Sequence, residues 1–254
     1  MRIALHQGPS PAGDEDAAMA AVRRTLAIGA AAGARLAVMP ELFLPGYNVA
    51  GMSAQPADGP WIARLRAICA EAGCGLVVGF AEAEGARRFN SAAAISPEGA
   101  LLAVHRKLQL FGPREARLFE RGDSPTTFEL DGLRCGLLIC YDVEFAAHVA
   151  DLARAGAALV LCPTANMRPH EAAARLLVPA RAAESGVTVA YANYCGREGD
   201  LRYTGLSTVA GPDGLPLASA GTGEATLVVD LAEAEAVPAA LRSTQAADYV
   251  APGG

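Results

Sequence analysis

Three polar residues each stand directly after an apolar stretch that reads as a strand. Glu41 follows Leu36–Ala37–Val38–Met39–Pro40, and Lys107 follows Leu101–Leu102–Ala103–Val104–His105–Arg106. Cys140 follows Cys135–Gly136–Leu137–Leu138–Ile139 and precedes Tyr141–Asp142. Strand ends are where α/β proteins tend to place their active sites. Taken singly the three say little. A Glu after a strand is commonly a solvated loop residue or a cap, and a Cys after an apolar strand is commonly core. Taken together they make one reaction, acyl transfer through a thiol. The thiol needs a base to become a thiolate, and Glu41 can take that proton and later hand it to a leaving amine. A carboxylate beside a thiolate has its own pKa raised, which suits acid–base work. Lys107 can supply the cation that a developing oxyanion needs, and the backbone N–H of Tyr141 a donor.

Lys107 is unusual in another way. Lys and Arg together number 21, and 20 of them are Arg, so Lys107 is the one lysine. A bias that exchanges lysine for arginine would spare a position where only a compact ammonium serves. Chance is the competing reading of that count.

A metal site has little support. The cysteines (Cys69, Cys74, Cys135, Cys140, Cys162, Cys195) include no close Cys-x-x-Cys pair, which also disfavours a disulfide framework. The histidines (His6, His105, His148, His170) show no ligand spacing. No metal and no cofactor is expected.

The elements that must position these residues repeat as strand and helix. Strands are predicted at Arg2–Gln7, Arg35–Met39, Gly75–Ala81, Ala157–Leu161, Val187–Tyr194 and Ala225–Asp230. Hairpins are predicted at Phe89–Ser96 with Ala100–Arg106, Thr126–Leu130 with Leu133–Ile139, and Ser207–Ala210 with Leu215–Ser219. Helices are predicted at Asp14–Gly33, Gly59–Gly73, Phe145–Ala155 and His170–Ser185. About a dozen strands exceed what one open sheet usually carries, so two stacked sheets flanked by helices are expected. No linker-like tract divides the 254 residues, and 1–254 reads as a single domain. The net charge of -6, with no basic tract, argues against a nucleic-acid or anionic-membrane partner. No apolar run is long enough to span a bilayer, and Met1–Gln7 turns polar too soon for a signal peptide, so a cytoplasmic protein is expected.

The three segments resemble those of the nitrilase superfamily, the carbon–nitrogen hydrolases, which use a Glu–Lys–Cys triad. The matching stretches are Met39–Pro40–Glu41–Leu42–Phe43–Leu44–Pro45–Gly46–Tyr47, Arg106–Lys107 followed by Leu110–Phe111–Gly112, and Gly136–Leu137–Leu138–Ile139–Cys140–Tyr141–Asp142. The resemblance runs from Met1 to about Asp230. It implies a four-layer α-β-β-α sandwich, a cofactor-free enzyme acting on a small-molecule amide, and a homodimer. It also implies that Glu115, in Glu115-x-x-x-Phe119-x-x-Gly122, holds Lys107 and the substrate amide. The competing reading pairs Glu115 with Arg114, Arg117 or Arg121 on a solvated helix face.

Within the superfamily the chain is similar to the amidase branch of 5-aminopentanamidases and R-stereoselective amidases. The stretches that carry this include Cys140–Tyr141–Asp142–Val143–Glu144–Phe145, Pro163–Thr164–Ala165–Asn166–Met167 and Tyr191–Ala192–Asn193–Tyr194–Cys195–Gly196. Tyr47, Phe111 and Asn166 are expected to line the pocket with Tyr141, and Met167 reads as packing. Asp142 reads as a cap for the helix that follows, and Cys135 as core. Superfamily members that act on carboxylate-bearing substrates commonly carry an Arg four residues after the nucleophile. Here Glu144 stands there, so an amine-bearing substrate is expected, unless Glu144 only supports the turn. Three departures from the family pattern stand out. Ala146–Ala147 replace the usual Pro–Glu near the dimer contact, Gln109 replaces a His two residues after the Lys, and the extension that drives filaments is not expected. The leading expectation is an amidase working through a Cys140 thioester. A nitrilase or N-carbamoyl hydrolase is the alternative within the superfamily, and a silent binding relative the alternative outside catalysis.

Overall fold

The computed structural model describes residues 1–248 and 250. In its first half, strand β1 (Arg2–Gln7) leads through helix α1 (Glu15–Ala31) to β2 (Ala34–Val38), and α2 (Pro60–Ala72) leads to β3 (Gly75–Glu84). Then come β4 (Arg87–Ile95), β5 (Leu101–Arg106) and a short helix α3 (Gly112–Leu118). The second half opens with β6 (Thr126–Leu130), β7 (Leu133–Leu137), a 3₁₀ turn (Cys140–Glu144), α4 (Ala146–Arg154) and β8 (Leu159–Thr164). A π-helical turn (Ala173–Leu177) runs into α5 (Val178–Ser185), followed by β9 (Thr188–Asn193) and the small hairpin β10 (Arg197–Glu198) and β11 (Leu201–Arg202). Strands β12 (Thr208–Ala210), β13 (Pro216–Ser219) and β14 (Ala225–Asp230) precede α6 (Ala232–Glu235), a 3₁₀ turn (Ala239–Leu241) and α7 (Gln245–Asp248).

The strands form two six-stranded mixed sheets, β14-β1-β2-β3-β4-β5 and β13-β12-β9-β8-β7-β6. Each sheet has a parallel centre (β1-β2-β3 and β7-β8-β9) and antiparallel flanks. Parallel strands covered on both faces read as continuous apolar runs, as Leu36–Met39 and Leu159–Cys162 do. Between the sheets lies one apolar core that includes Ile3, Leu36, Val77, Leu137, Leu161 and Val209. Helices α1 and α2 pack Val22, Leu26 and Leu65 against Ala4, Ala37 and Val78 on the outer face of the first sheet. Helices α4 and α5 pack Val149, Leu152 and Val178 against Val160 and Val189 on the second. The architecture is therefore four layers, α-β-β-α, as expected. Asp14 caps α1 by accepting the Ala17 N–H at 2.8 Å, which satisfies one of the free donors of its first turn.

Some expected boundaries were wrong. The helix expected at His170–Ser185 begins later, as a π-helical turn feeding α5. Pro179 lies just past the point where the π-helical turn runs into α5. A proline inside a helical run lacks an N–H and crowds the turn before it, and the wider π turn accommodates it. Strand β8 runs past the expected Leu161 through Pro163 to Thr164, because parallel pairing with β9 continues to Asn193. Helix α3 was not foreseen as an element, nor were β10–β11 and the short helices after Asp230. No helix among the described residues is long and apolar enough to cross a membrane.

Candidate functional site

The two sheets meet at one end, where β2, β5, β7 and β8 finish, and the three strand-end residues converge there. Glu41 sits in a loop laced onto β3, with the Gly79 N–H donating to Pro40 at 3.2 Å and the Leu44 N–H to Gly79 at 3.2 Å. The Glu41 N–H crosses to the other sheet and donates to the Thr164 carbonyl at 3.3 Å. The loop lies so close to β3 that a Cβ on Gly79 would come within 2.4 Å of the Leu42 nitrogen. Only glycine admits that approach. Lys107 directly follows β5, its backbone N–H donating to the Asn90 carbonyl and its carbonyl accepting the Gly122 N–H, both at 2.8 Å. Gly122 has the same role there, since a Cβ would meet the Arg106 carbonyl oxygen at 2.2 Å.

Cys140 opens the 3₁₀ turn with φ of 47°, a left-handed conformation that a side chain adopts at some cost. Of the six cysteines it alone is partly exposed, and the other five are buried. Asp142 is the pin that holds this turn. It was expected to cap the following helix. Instead its carboxylate accepts the Ile139 N–H at 3.1 Å and, from the other strand end, the N–H groups of Leu108 and Gln109 at 3.1 and 2.7 Å. His105 lies 3.4 Å away on its second oxygen. One buried carboxylate thus ties the cysteine turn to the segment after Lys107. Gln109 turns its side chain to His148 on α4 at 3.1 Å.

Glu41, Lys107 and Glu115 form one buried cluster. Lys107 Nζ lies 2.6 Å from Glu41 Oε1 and 2.8 Å from Glu115 Oε1, and all three side chains are essentially inaccessible. Tyr47 donates its hydroxyl to Glu115 Oε1 at 2.6 Å, and the Phe111 N–H donates to Oε2 at 2.9 Å. The solvated reading of Glu115 is therefore wrong. Asn90 donates to Glu41 Oε1 at 2.6 Å, while Glu41 Oε2 is buried without a partner. Burial raises the Glu41 pKa, opposed by Lys107 and reinforced by Glu115. Burial alone would lower that of Lys107, but the two carboxylates overcome it and hold it well above the usual lysine value. Burial pushes the Cys140 thiol well up, Glu41 adds to this, and Lys107 pulls against it.

A narrow cleft opens over Cys140. Tyr47, Phe111, Tyr141, Glu144 and Asn166, the five expected pocket residues, all line it with Cys140. Met167, expected as packing, also faces it, as do Ala165 and His170, which the sequence did not single out. Phe111 stands edge-on to both Tyr141 and His170. Asn166 uses its amide to hold the His170 carbonyl at 2.9 Å, so it shapes the cleft wall. Glu144 makes no side-chain hydrogen bond among the described residues, because the nearby Arg181 gives its guanidinium to the Glu144 carbonyl and to Glu184. Burial raises the Glu144 pKa, against His170, Lys107 and Arg181. No grouping of three or more His, Cys, Asp or Glu among the described residues could hold a metal ion.

Comparison with known proteins agrees with this geometry. The chain is 40% identical over 234 residues to the hydrolase in the pqqF 5′ region of Pseudomonas protegens, covering 90% of this chain and 81% of that one. It is 35% identical over 223 residues to an (R)-stereoselective amidase of a Pseudomonas species, covering 86% and 81%. The crystal structure of an amidase from Nesterenkonia sp. superposes with a TM-score of 0.85 at 38% identity, covering 91% of this chain and 90% of that one. Other structures of that amidase show acrylamide added to its active-site cysteine, and butyramide bound to a cysteine-to-alanine variant. The carbon–nitrogen hydrolase family profile matches residues 2–240, and with it this chain belongs to the carbon–nitrogen hydrolases of the nitrilase superfamily.

Proposed function

We propose that the protein is an amidase that hydrolyses a small carboxamide to the acid and ammonia through a thioester on Cys140. The observation that carries this reading is the buried Glu41–Lys107–Glu115 cluster at the edge of a cleft whose floor is a partly exposed cysteine. Two carboxylates and one ammonium leave the cluster one negative charge in excess. Taking the thiol proton onto Glu41 removes that excess and moves the charge to sulfur, which attacks the amide carbon. Lys107 has three N–H donors and spends two on carboxylates, so the third is free for the oxyanion, together with the Tyr141 N–H. Glu41 then gives that proton to the leaving amide nitrogen, which departs as ammonia. It next takes a proton from the water that opens the thioester and returns it to the Cys140 sulfur. Glu115, fixed by Tyr47 and Phe111, keeps Lys107 in place. Ammonia release from a panel of amides, nitriles and N-carbamoyl compounds tests the reading. Amides should lead the panel, and exclusive turnover of nitriles or N-carbamoyl compounds would replace it with the alternatives within the superfamily.

We further propose that the amide carries an amine, because Glu144 presents a carboxylate to the cleft without a partner among the described residues. A unit charge pair at about 4 Å and an effective dielectric near 20 is worth about 4 kcal/mol before desolvation is subtracted. A net share of about 1.4 kcal/mol is tenfold in preference. In kcat/KM, 5-aminopentanamide should exceed pentanamide and glutaramate, and Glu144→Gln should erase most of that margin. Since burial raises the Glu144 pKa, the margin should be full at higher pH and fade as pH falls through that raised value. A Glu144→Gln variant that lowers all three substrates equally would assign Glu144 to supporting the turn.

A homodimer completes the proposal. Ala146, Ala147, Ala150 and Ala153 of α4 form a shallow apolar surface bordered by Arg154 and Glu184. Small side chains there let a second copy approach closely. Sedimentation at micromolar concentration should give about twice the 26.0 kDa chain mass. A species at the chain mass contradicts pairing.

A further inference from the structure

The Glu41 carboxylate is asymmetric. Oε1 accepts from both Lys107 Nζ and Asn90 Nδ2, each at 2.6 Å, while Oε2 has no partner. Asn90 is fully buried on β4, and its own Oδ1 is also without a partner. Its orientation is forced, because the flipped amide would set Oδ1 against a carboxylate oxygen that can only accept. A buried amide left half satisfied is a cost to the fold, and the contact that Asn90 gains in return is the one to Glu41. Its backbone carbonyl meanwhile accepts the Lys107 N–H at 2.8 Å. One residue therefore touches both partners of the ion pair.

We infer that Asn90 is a positioning residue that fills Oε1 of Glu41, so that the proton of the thiol, and later of water, is exchanged at Oε2. The inference rests on the reading of Glu41 as the base. An amide suits the task because its N–H donor persists at every pH, whereas an Asp in its place would lose the donor on ionising and repel Glu41. Other groups acting on Glu41 do not substitute for it. Lys107 shares Oε1, and Glu115 reaches Glu41 through Lys107. Cys140, Tyr47, Cys162 and Tyr194 surround the site as neutral groups at pH 7.

A hydrogen bond to the ionised form stabilises it, so the Asn90 contact lowers the Glu41 pKa. Activity that needs ionised Glu41 is lost as pH falls through that pKa. Removing the donor raises it and moves the acidic limb to higher pH. The test follows kcat/KM and the rate of Cys140 alkylation by iodoacetamide against pH, in the parent, Asn90→Ser and the isosteric Asn90→Asp, with thermal melting as a check on folding. The acidic limb should rise by about one pH unit in Asn90→Ser, the scale of one lost carboxylate hydrogen bond, and further in Asn90→Asp. At pH 7 kcat should fall about ten- to a hundredfold with KM within about twofold, as a misplaced base costs rate more than binding. A limb that stays in place in either folded variant overturns the inference, whatever happens to kcat. Loss of the fold in both variants assigns Asn90 to structure and overturns it as well. Glu41→Gln is the reference. Parent-level activity in Glu41→Gln would remove Glu41 as the base, a failure of the proposed function that the Asn90 data alone cannot produce.

Discussion

Cys140→Ala is expected to abolish ammonia release, by about 10⁴-fold or more, with the fold kept. The thiol is the nucleophile of the proposed reaction, and no neighbour can replace it. Cys162, the cysteine nearest in the fold, is buried, with its sulfur 4.0 Å from the Cys140 carbonyl oxygen. Its pKa is pushed up to about 12 by burial. The structural cost of the change is small. Cys140 is partly exposed, and Ala meets the same backbone strain at φ of 47° as Cys does. The turn is held by Asp142, which the substitution does not touch. The stability change should be about 1 kcal/mol or less. Ammonia assays and thermal melting of the variant decide it. Turnover of the best amide at the parent rate would end the thioester mechanism.

Lys107→Arg is expected to be nearly as inactive as Lys107→Ala. Nζ lies at 2.6 and 2.8 Å from two carboxylates in a site closed to solvent. A guanidinium keeps the charge, but it is planar and larger, and forcing extra volume into a packed site costs about 1–3 kcal/mol. Its fork can satisfy Glu41 and Glu115 only by displacing the donor aimed at the oxyanion. The alanine variant fails differently. It leaves two buried carboxylates without their cation, a change that typically costs about 3–5 kcal/mol. It also removes the attraction that lowers the Glu41 pKa, so the base stays protonated to higher pH. Steady-state kinetics and melting separate the two. Both variants should lose activity, and Lys107→Ala should lose more stability. An Arg variant with most of the parent activity would show that a point charge is not required.

The ends of apolar strands were easy to find in sequence, so Glu41, Lys107 and Cys140 stood out, and two sheets followed from the number of strands. Glu115 was different. It sits among Arg114, Arg117 and Arg121, and its local pattern fits a solvated face as well as a buried one, so only the family pattern assigned it inward. Asn90 gave no signal because β4 is buried on both faces from Phe89 to Ile95, which erases the period-two pattern that would mark an inward side chain. His170 enters the cleft by the path of the chain after β8, which spacing along the sequence does not reveal. Asp142 was read by its nearest helix, while the bonds that tie it to Leu108 and Gln109 run more than thirty positions along the chain. Gly79 looked like any strand glycine until the Glu41 loop was seen to cross it. These misses share one cause. Each residue acts across a tertiary contact, and local pattern carries no record of the partner.

In the proposed reaction Cys140 carries the acyl group during turnover. Acid quenching of the protein within the first turnover on its best amide, followed by mass measurement of its peptides, tests that directly. The expected result is a mass increase equal to the substrate less ammonia, confined to the peptide that contains Cys140 and absent in Cys140→Ala. An acyl group on another residue would contradict it, as would a burst of ammonia ahead of the acid product with Cys140 unmodified.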